Sequence, residues 1–163
     1  MPEDKVTAEE LLMHLKSNPE YMSKRATKEQ QRVERQNKFD EELAPAIKNL
    51  NNAGLAGSTL QEIAKLNSPI SNNAVAILLG ALKTLESDRC KESVIRLLAA
   101  SKHEFNGESL AACFDNTSDE SLKWAIMNTI AFTSPYSIEV WIDEKLKHPY
   151  WGKVLLDLGY RKS

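Results

Sequence analysis

The stretch DESLKWAIMNTIAF, residues 119–132, has the pattern of a helix that covers an apolar core. Its first residue, Asp119, is of a type that caps helix N-termini. Apolar residues follow at helical spacing, namely Ile126, Met127, Ile130 and Ala131. No glycine or proline interrupts the stretch, so it predicts one helix with a face that other helices must cover.

The same apolar pattern occurs once before this helix and once after it. Ile126 aligns with Val94 upstream and with Val154 downstream, at a spacing of about 30 residues. The aligned sets are Val94, Ile95, Leu98 and Ala99, then Ile126, Met127, Ile130 and Ala131, then Val154, Leu155, Leu158 and Gly159. The preceding helices also match, with Val75, Leu78 and Leu79, then Leu110, Cys113 and Phe114, then Ile138, Trp141 and Ile142. Such a repeated helical hairpin is the signature of an α-solenoid, because no single hairpin can bury its own apolar face.

Turn-forming segments such as ESD, KHEFNG and DNTSD separate these helices, and almost nothing alternates with the period of a strand. We therefore predict an all-α fold. It is a short α-solenoid of about three helical hairpins, preceded by a helical N-terminal arm.

Residues 119–132 resemble the second helix of a HEAT repeat, and residues 72–162 resemble three degenerate HEAT-like hairpins. The NPEY sequence at 18–21, followed by a basic helix, also resembles small bacterial HEAT-like proteins whose function is mostly unassigned. The chain departs from the fuller pattern, because its first helices lack a consistent proline and the one near 106–116 is short. The resemblance implies a solenoid that presents an extended binding surface.

Bacterial alkylpurine DNA glycosylases are a remote alternative within this resemblance. They are built from HEAT-like repeats and carry aromatic residues and a carboxylate on the concave face. This chain has Trp124, Trp141 and Trp151, but it is short for that family and has no broadly basic concave surface.

The N-terminal third predicts an arm. Thr7 and Glu10 have capping-box spacing, and Pro19 can begin a second helix. Pro45 is expected to kink that helix or to make it restart. The break NNAGLAG at 51–57 divides the chain into an arm, 1–53, with a long polar and basic helix, and a repeat domain, 54–163.

The composition indicates a soluble cytoplasmic protein without a membrane segment. No stretch approaches the length of an apolar membrane span, and no signal peptide is recognisable at the N-terminus. The two cysteines, Cys90 and Cys113, are expected to be buried, reduced thiols. A net charge of −2 makes the whole chain neither strongly basic nor strongly acidic.

No catalytic or metal-binding motif is recognisable. The histidines His14, His103 and His148 are scattered, and adjacent carboxylates along a helix do not share a face. We therefore expect a protein that is not an enzyme and that uses no cofactor and no metal.

Two sets of residues are candidates for binding a partner. The first is a ladder on the second helices of the hairpins, Glu92, Arg96, Trp124 and Asn128. Trp124 aligns with Glu92 and Gly152, so the repeat core does not require an apolar residue there. Trp124 either packs on a neighbouring repeat or lines the groove. Trp141, at a core position of the repeat, is expected to pack internally.

The second set is a basic stripe on the arm, Lys24, Lys28, Arg32 and Arg35. This stripe is a solvated face, or it docks on an acidic protein, or it binds phosphates. A further alternative is contact with the acid-rich segment 103–120, in the same chain or in a second copy. Contact with that segment of a second copy would make the arm a site of homo-oligomerisation.

From these observations we expect a non-catalytic module that binds another protein, either as an immunity or inhibitor protein or as an adaptor. Nucleic-acid binding through the basic arm is the alternative.

Overall fold

A computed structural model describes residues 6–161, which belong to two compact units, 1–40 and 41–163. Residues 1–5 of the predicted arm lie outside the described part. So do residues 162 and 163, at the end of the predicted repeat domain and of its HEAT-like region.

The described part of the chain contains nine helices and no strand, which confirms the all-α prediction. They are α1 (Ala8–Lys16), α2 (Pro19–Asn52), α3 (Leu60–Asn67), α4 (Asn72–Leu82), α5 (Asp88–Leu98), α6 (Glu108–Asp115), α7 (Glu120–Thr133), α8 (Glu139–Lys147) and α9 (Trp151–Asp157). Within residues 6–161, no helix combines the length and the apolar character that crossing a membrane requires.

Unit 1 consists of α1 and the first part of α2, and local contacts define its helices. Thr7 and Glu10 form the predicted capping box, with each side chain bonded to the other's backbone N–H. Asn18 then caps α2 by accepting from two backbone N–H groups, and Pro19 occupies the first helical position, as predicted. None of the described residues up to position 40 is buried.

α2 is one continuous helix of 34 residues that runs through Pro45, so the alternative of a restart at this proline is wrong. It ends where the sequence predicted a break. Gly54 has φ of +93°, and the Leu55 N–H reaches back to the Leu50 carbonyl at 3.0 Å. This is a Schellman termination, and the left-handed φ is why glycine suits this position.

The second unit begins at Glu41, before the end of α2, whereas the sequence predicted the boundary at 53/54. The physical reason is burial. Leu43, Ala46 and Leu50 of α2 are core residues, so the last part of this helix packs within unit 2.

Unit 2 contains three helical hairpins, α4–α5, α6–α7 and α8–α9. The helices of each hairpin pack on each other, and the second helices also pack between hairpins, α5 against α7 and α7 against α9. α3 packs on α5. The aligned apolar positions form the core of these contacts, because Val94, Ile126 and Val154 are all buried.

Two further kinds of contact hold the hairpins. Backbone bonds close single hairpins by linking the loop before each to the loop after it, with the Ile70 N–H donating to the Ala100 carbonyl around α4–α5 and the Tyr136 N–H to the Phe105 carbonyl around α6–α7. The hydroxyl of Thr129, which is the buried polar residue of the described core, donates to the Ile95 carbonyl at 2.9 Å. This bond fixes α7 against α5.

Candidate functional site

Of the ladder predicted on the second helices, Glu92 and Arg96 lie on α5, Trp124 and Asn128 lie on α7, and a bond from Ser121 to Glu92 joins the two helices at the surface. Arg96 donates two hydrogen bonds to Glu92, at 3.0 and 2.7 Å. The same Glu92 oxygen accepts from the Ser121 hydroxyl of α7 at 2.8 Å. Glu92 therefore orients the exposed Arg96 guanidinium and ties the two helices together at the surface.

Trp124 lies one turn after Ser121 and is 40% exposed. Its indole N–H donates to the hydroxyl of Tyr150, itself 48% exposed, at 3.1 Å. The two rings meet edge to face, with centroids 6.4 Å apart. Trp124 thus packs on the next hairpin, which is one of the two alternatives left open by the sequence, and part of its surface stays exposed. Asn128 lies half-buried one further turn along α7.

Tyr150 is held in place by the start of α9. The His148 ring accepts from the backbone N–H groups of Tyr150 and Trp151 through Nδ1, both at 3.2 Å. Trp151 is buried, and its ring lies 4.7 Å from Tyr150 and 6.2 Å from Trp124. The exposed pair therefore rests on a rigid aromatic support.

That support continues inward to α6 and α8. Phe114 lies 5.1 Å from Trp151 and 5.3 Å from Trp141, in both cases edge to face. The Trp141 indole N–H donates to the Asp115 carboxylate, which also pairs with Lys145 at 3.7 Å. Trp141 therefore packs internally, as its place in the repeat predicted.

We define the second-helix face as this surface of unit 2. Its members are Glu92, Arg96, Ser121, Trp124, Asn128 and Tyr150. Sequence reasoning missed Ser121 and Tyr150, because both join the face through contacts between hairpins. The only available signal was the concentration of aromatic residues near the C-terminus.

The basic stripe of unit 1 is only partly neutralised within its own helix. Lys24 pairs with Glu20 at 3.3 Å, and Arg32 pairs with Glu29 at 2.7 Å. Hydrogen bonding and the charge of Arg32 hold the pKa of Glu29 below its usual value. Lys28 and Arg35 have no ion pair with any other residue of the described range 6–161.

Both cysteines are free thiols, and their surroundings do not activate them. Burial, reinforced by a hydrogen bond to Glu42, raises the pKa of Cys90 to about 12. Burial also raises the pKa of the half-buried Cys113. A thiolate is the reactive form, so both thiols are poor nucleophiles near neutral pH.

Glu42 connects α2 to the start of α5. Its carboxylate accepts from the backbone N–H groups of Glu86 and Ser87, at 2.7 and 3.0 Å. Burial raises the pKa of Glu42, but the hydrogen bonds from Cys90, Ser87 and Glu86 outweigh that effect and lower it. Glu42 is therefore a structural carboxylate.

Within residues 6–161, no three histidine, cysteine, aspartate or glutamate side chains are grouped as a metal site requires. No protein-family model, curated protein or solved structure matches this chain.

Proposed function

We propose that this protein is a non-catalytic binding module, that its partner is another protein, and that the second-helix face makes the contact. One observation carries the proposal. Trp124 and Tyr150 are large, half-exposed aromatic residues held rigidly by each other and by Trp151. Aromatic anchors of this kind contribute most of the energy in protein interfaces, and a rigid pair loses little entropy on binding.

The rest of the face has the composition of an interface rim. Arg96 is exposed at the other end, and its ion pair with Glu92 presents the guanidinium in one orientation. Arginine is the charged residue type most often found among binding hot spots. A partner with an apolar pocket for Trp124 and a carboxylate for Arg96 fits this arrangement.

We take the three hairpins to be a short α-solenoid of the HEAT-like type. The support is the repeated packing of second helix on second helix, α5 on α7 and α7 on α9. In a solenoid, equivalent helices form one extended surface, which suits a protein partner better than a small ligand.

Such a module acts by covering or tethering its partner. An immunity or inhibitor protein and an adaptor both work in this way and need no catalytic group. We place it in the cytoplasm, where two unpaired cysteines are the usual state.

The test is site-specific photocrosslinking in cells of the organism that encodes the protein. The photoreactive residue p-benzoylphenylalanine replaces Ser121 or Asn128, face positions next to the proposed anchors. Matched controls carry it at Leu66 or Val140, two exposed apolar positions outside the face. We expect one protein adduct of the same mass from both face positions and none from the controls.

Trp124→Ala, combined with the Ser121 probe, should abolish that adduct. Equal adducts at all four positions would contradict a specific face. An adduct that nuclease removes would assign the face to nucleic acid instead.

A further inference from the structure

The face of α2 within unit 1 carries five cations, one tyrosine and one glutamate. We call it the arm basic face, and its members are Tyr21, Lys24, Arg25, Lys28, Glu29, Arg32 and Arg35. We propose that this face binds the phosphate backbone of double-stranded nucleic acid. The proposal is independent of the protein-binding face in unit 2.

The spacing of these residues makes a straight seam. Five of them, Tyr21, Arg25, Lys28, Arg32 and Arg35, alternate four and three positions apart. That is the spacing at which a helix places the residues that contact another helix, and such positions are normally apolar. Here four of the five, from Arg25 to Arg35, are cationic over about 15 Å of helix, so an anionic surface complements the seam.

The seam is available to a ligand. All five cationic residues are exposed, and Tyr21 is half-buried. Lys28 and Arg35 form no ion pair within the described part of the chain, and Arg25 forms no close ion pair there but interacts with the charge of Glu29. Lys24 and Arg32 are paired, but their side chains are 72% and 63% exposed. Exposed pairs of this kind contribute only about 0–1 kcal/mol, so phosphates can replace the glutamates at little cost.

Two other occupants fit less well. A second copy would bring like charges together if it used the same seam. An acidic protein partner would be expected to offer or receive apolar anchors, and Tyr21 is the one aromatic residue of the seam. A phosphate backbone needs no such anchor, because cations alone release its counterions. Three of the five cations are arginines, whose planar fork matches phosphate oxygens.

A duplex suits this seam better than a single strand. Binding of single strands relies on aromatic side chains placed between the cations, and here Tyr21 lies at one end. A lone helix fits the major groove of a duplex or lies along its backbone. The net charge of −2 does not prevent this, because charges beyond about 8 Å are largely screened at physiological salt.

The experiment measures fluorescence anisotropy of a short DNA duplex and a short RNA duplex of random sequence, with the full-length protein. Neutralising three to five phosphates predicts a slope of about −2.7 to −4.5 for log K against log salt. In the test variant, Arg25, Lys28 and Arg35 are all changed to glutamine. The matched control changes Lys65, Lys83 and Lys102 to glutamine, three exposed lysines of unit 2.

We expect the slope of log K against log salt to be smaller in magnitude by about 3 in the test variant. We also expect its affinity at about 50 mM salt to be at least about tenfold lower than that of wild type. The slope and the affinity of the control variant should stay within a factor of about two of the wild-type values. Binding to one duplex type only would support the proposal and identify the natural ligand. Equal losses in the two variants would overturn it, because charge alone would then be responsible. Absence of binding to either duplex at low salt would also overturn it and leave an acidic protein as the occupant.

Discussion

Units 1 and 2 are both helical, but different interactions make them so. In unit 1 the helices are supported by their own caps and by side-chain pairs one turn apart, such as Glu29 with Arg32. In unit 2 the helices bury leucine, isoleucine and valine against one another, and Leu98, Ile126 and Leu155 are completely inaccessible. Local pairs contribute a few tenths of a kcal/mol each, whereas each buried aliphatic side chain contributes about 1.5–3 kcal/mol.

This difference determines which kind of surface each unit exposes to a partner. Unit 1 has no buried core among its described residues, so its long helix exposes a charged seam along its length. Unit 2 uses most of its apolar residues internally and exposes a small, rigid aromatic group around Trp124. A polyanion needs the first kind of surface, and a protein partner needs the second.

The largest expected effect comes from truncating large aliphatic side chains to alanine, which we compare between the two units. Leu98→Ala and Ile126→Ala should each lower the free energy of unfolding by about 2–5 kcal/mol, because a cavity replaces a completely buried side chain. Leu11→Ala in α1, where the leucine is 52% exposed, should cost less than about 0.5 kcal/mol. Urea unfolding followed by circular dichroism measures all three.

Trp124→Ala should lower the free energy of unfolding by an amount between those of Leu11→Ala and Leu98→Ala. Its side chain is half-exposed but contacts Tyr150 and Trp151. If Leu11→Ala destabilised the protein as much as Leu98→Ala, the arm would have a core of its own, and the contrast between the units would fail.

The core of unit 2 was predictable from sequence because helical burial has a period. Ile95, Met127 and Leu155 are all buried as aligned, although the alignment fails at its last position, where Ala99 and Ala131 are half-buried and Gly159 is exposed. The boundary between the units was not predictable in the same way. Glycine marks where a helix ends, but the core begins where the apolar residues of α2 begin to be covered. In α2 the core begins near Glu41, whereas the helix ends at Asn52.

Contacts between residues far apart in the sequence were also not predictable. Glu42 accepts from backbone N–H groups that lie more than 40 residues later, just before α5, and Tyr150 meets Trp124 of the neighbouring hairpin. Thr129 reads as an ordinary polar residue in α7, although its hydroxyl fixes α7 on α5. Each contact depends on the distance between helices, which periodicity within one helix does not determine.

A smaller effect is expected from Glu42, a carboxylate that joins two helices of unit 2. Glu42→Gln should lower the free energy of unfolding by about 1 kcal/mol at neutral pH, because it removes charge-assisted bonds to the start of α5. Glu41→Gln, an exposed neighbour, is the matched control and should change stability little.

The Glu42 effect should depend on pH. Its pKa is lowered in the folded protein, so the unfolded chain binds the proton more readily. The stabilisation is therefore complete above the unfolded value of about 4.3 and is lost as the pH falls through the lower, folded value. Wild type and Glu42→Gln should converge in stability below about pH 4. A difference that grew on acidification would contradict this assignment.

The smallest effect sharpens the comparison most, because the same chemistry occurs in both units. An arginine–glutamate pair at 2.7 Å lies on α2 in unit 1 and on α5 in unit 2. The Glu29 side chain is 59% exposed and accepts from Arg32, whereas the Glu92 side chain is 20% exposed and accepts from Ser121 as well as from Arg96. Glu29→Gln should therefore change the free energy of unfolding by less than about 0.5 kcal/mol, and Glu92→Gln should lower it by about 1 kcal/mol. Equal losses of unfolding free energy in the two variants would mean that the Glu29–Arg32 pair stabilises a cooperative core in unit 1. The arm basic face would then contribute to folding.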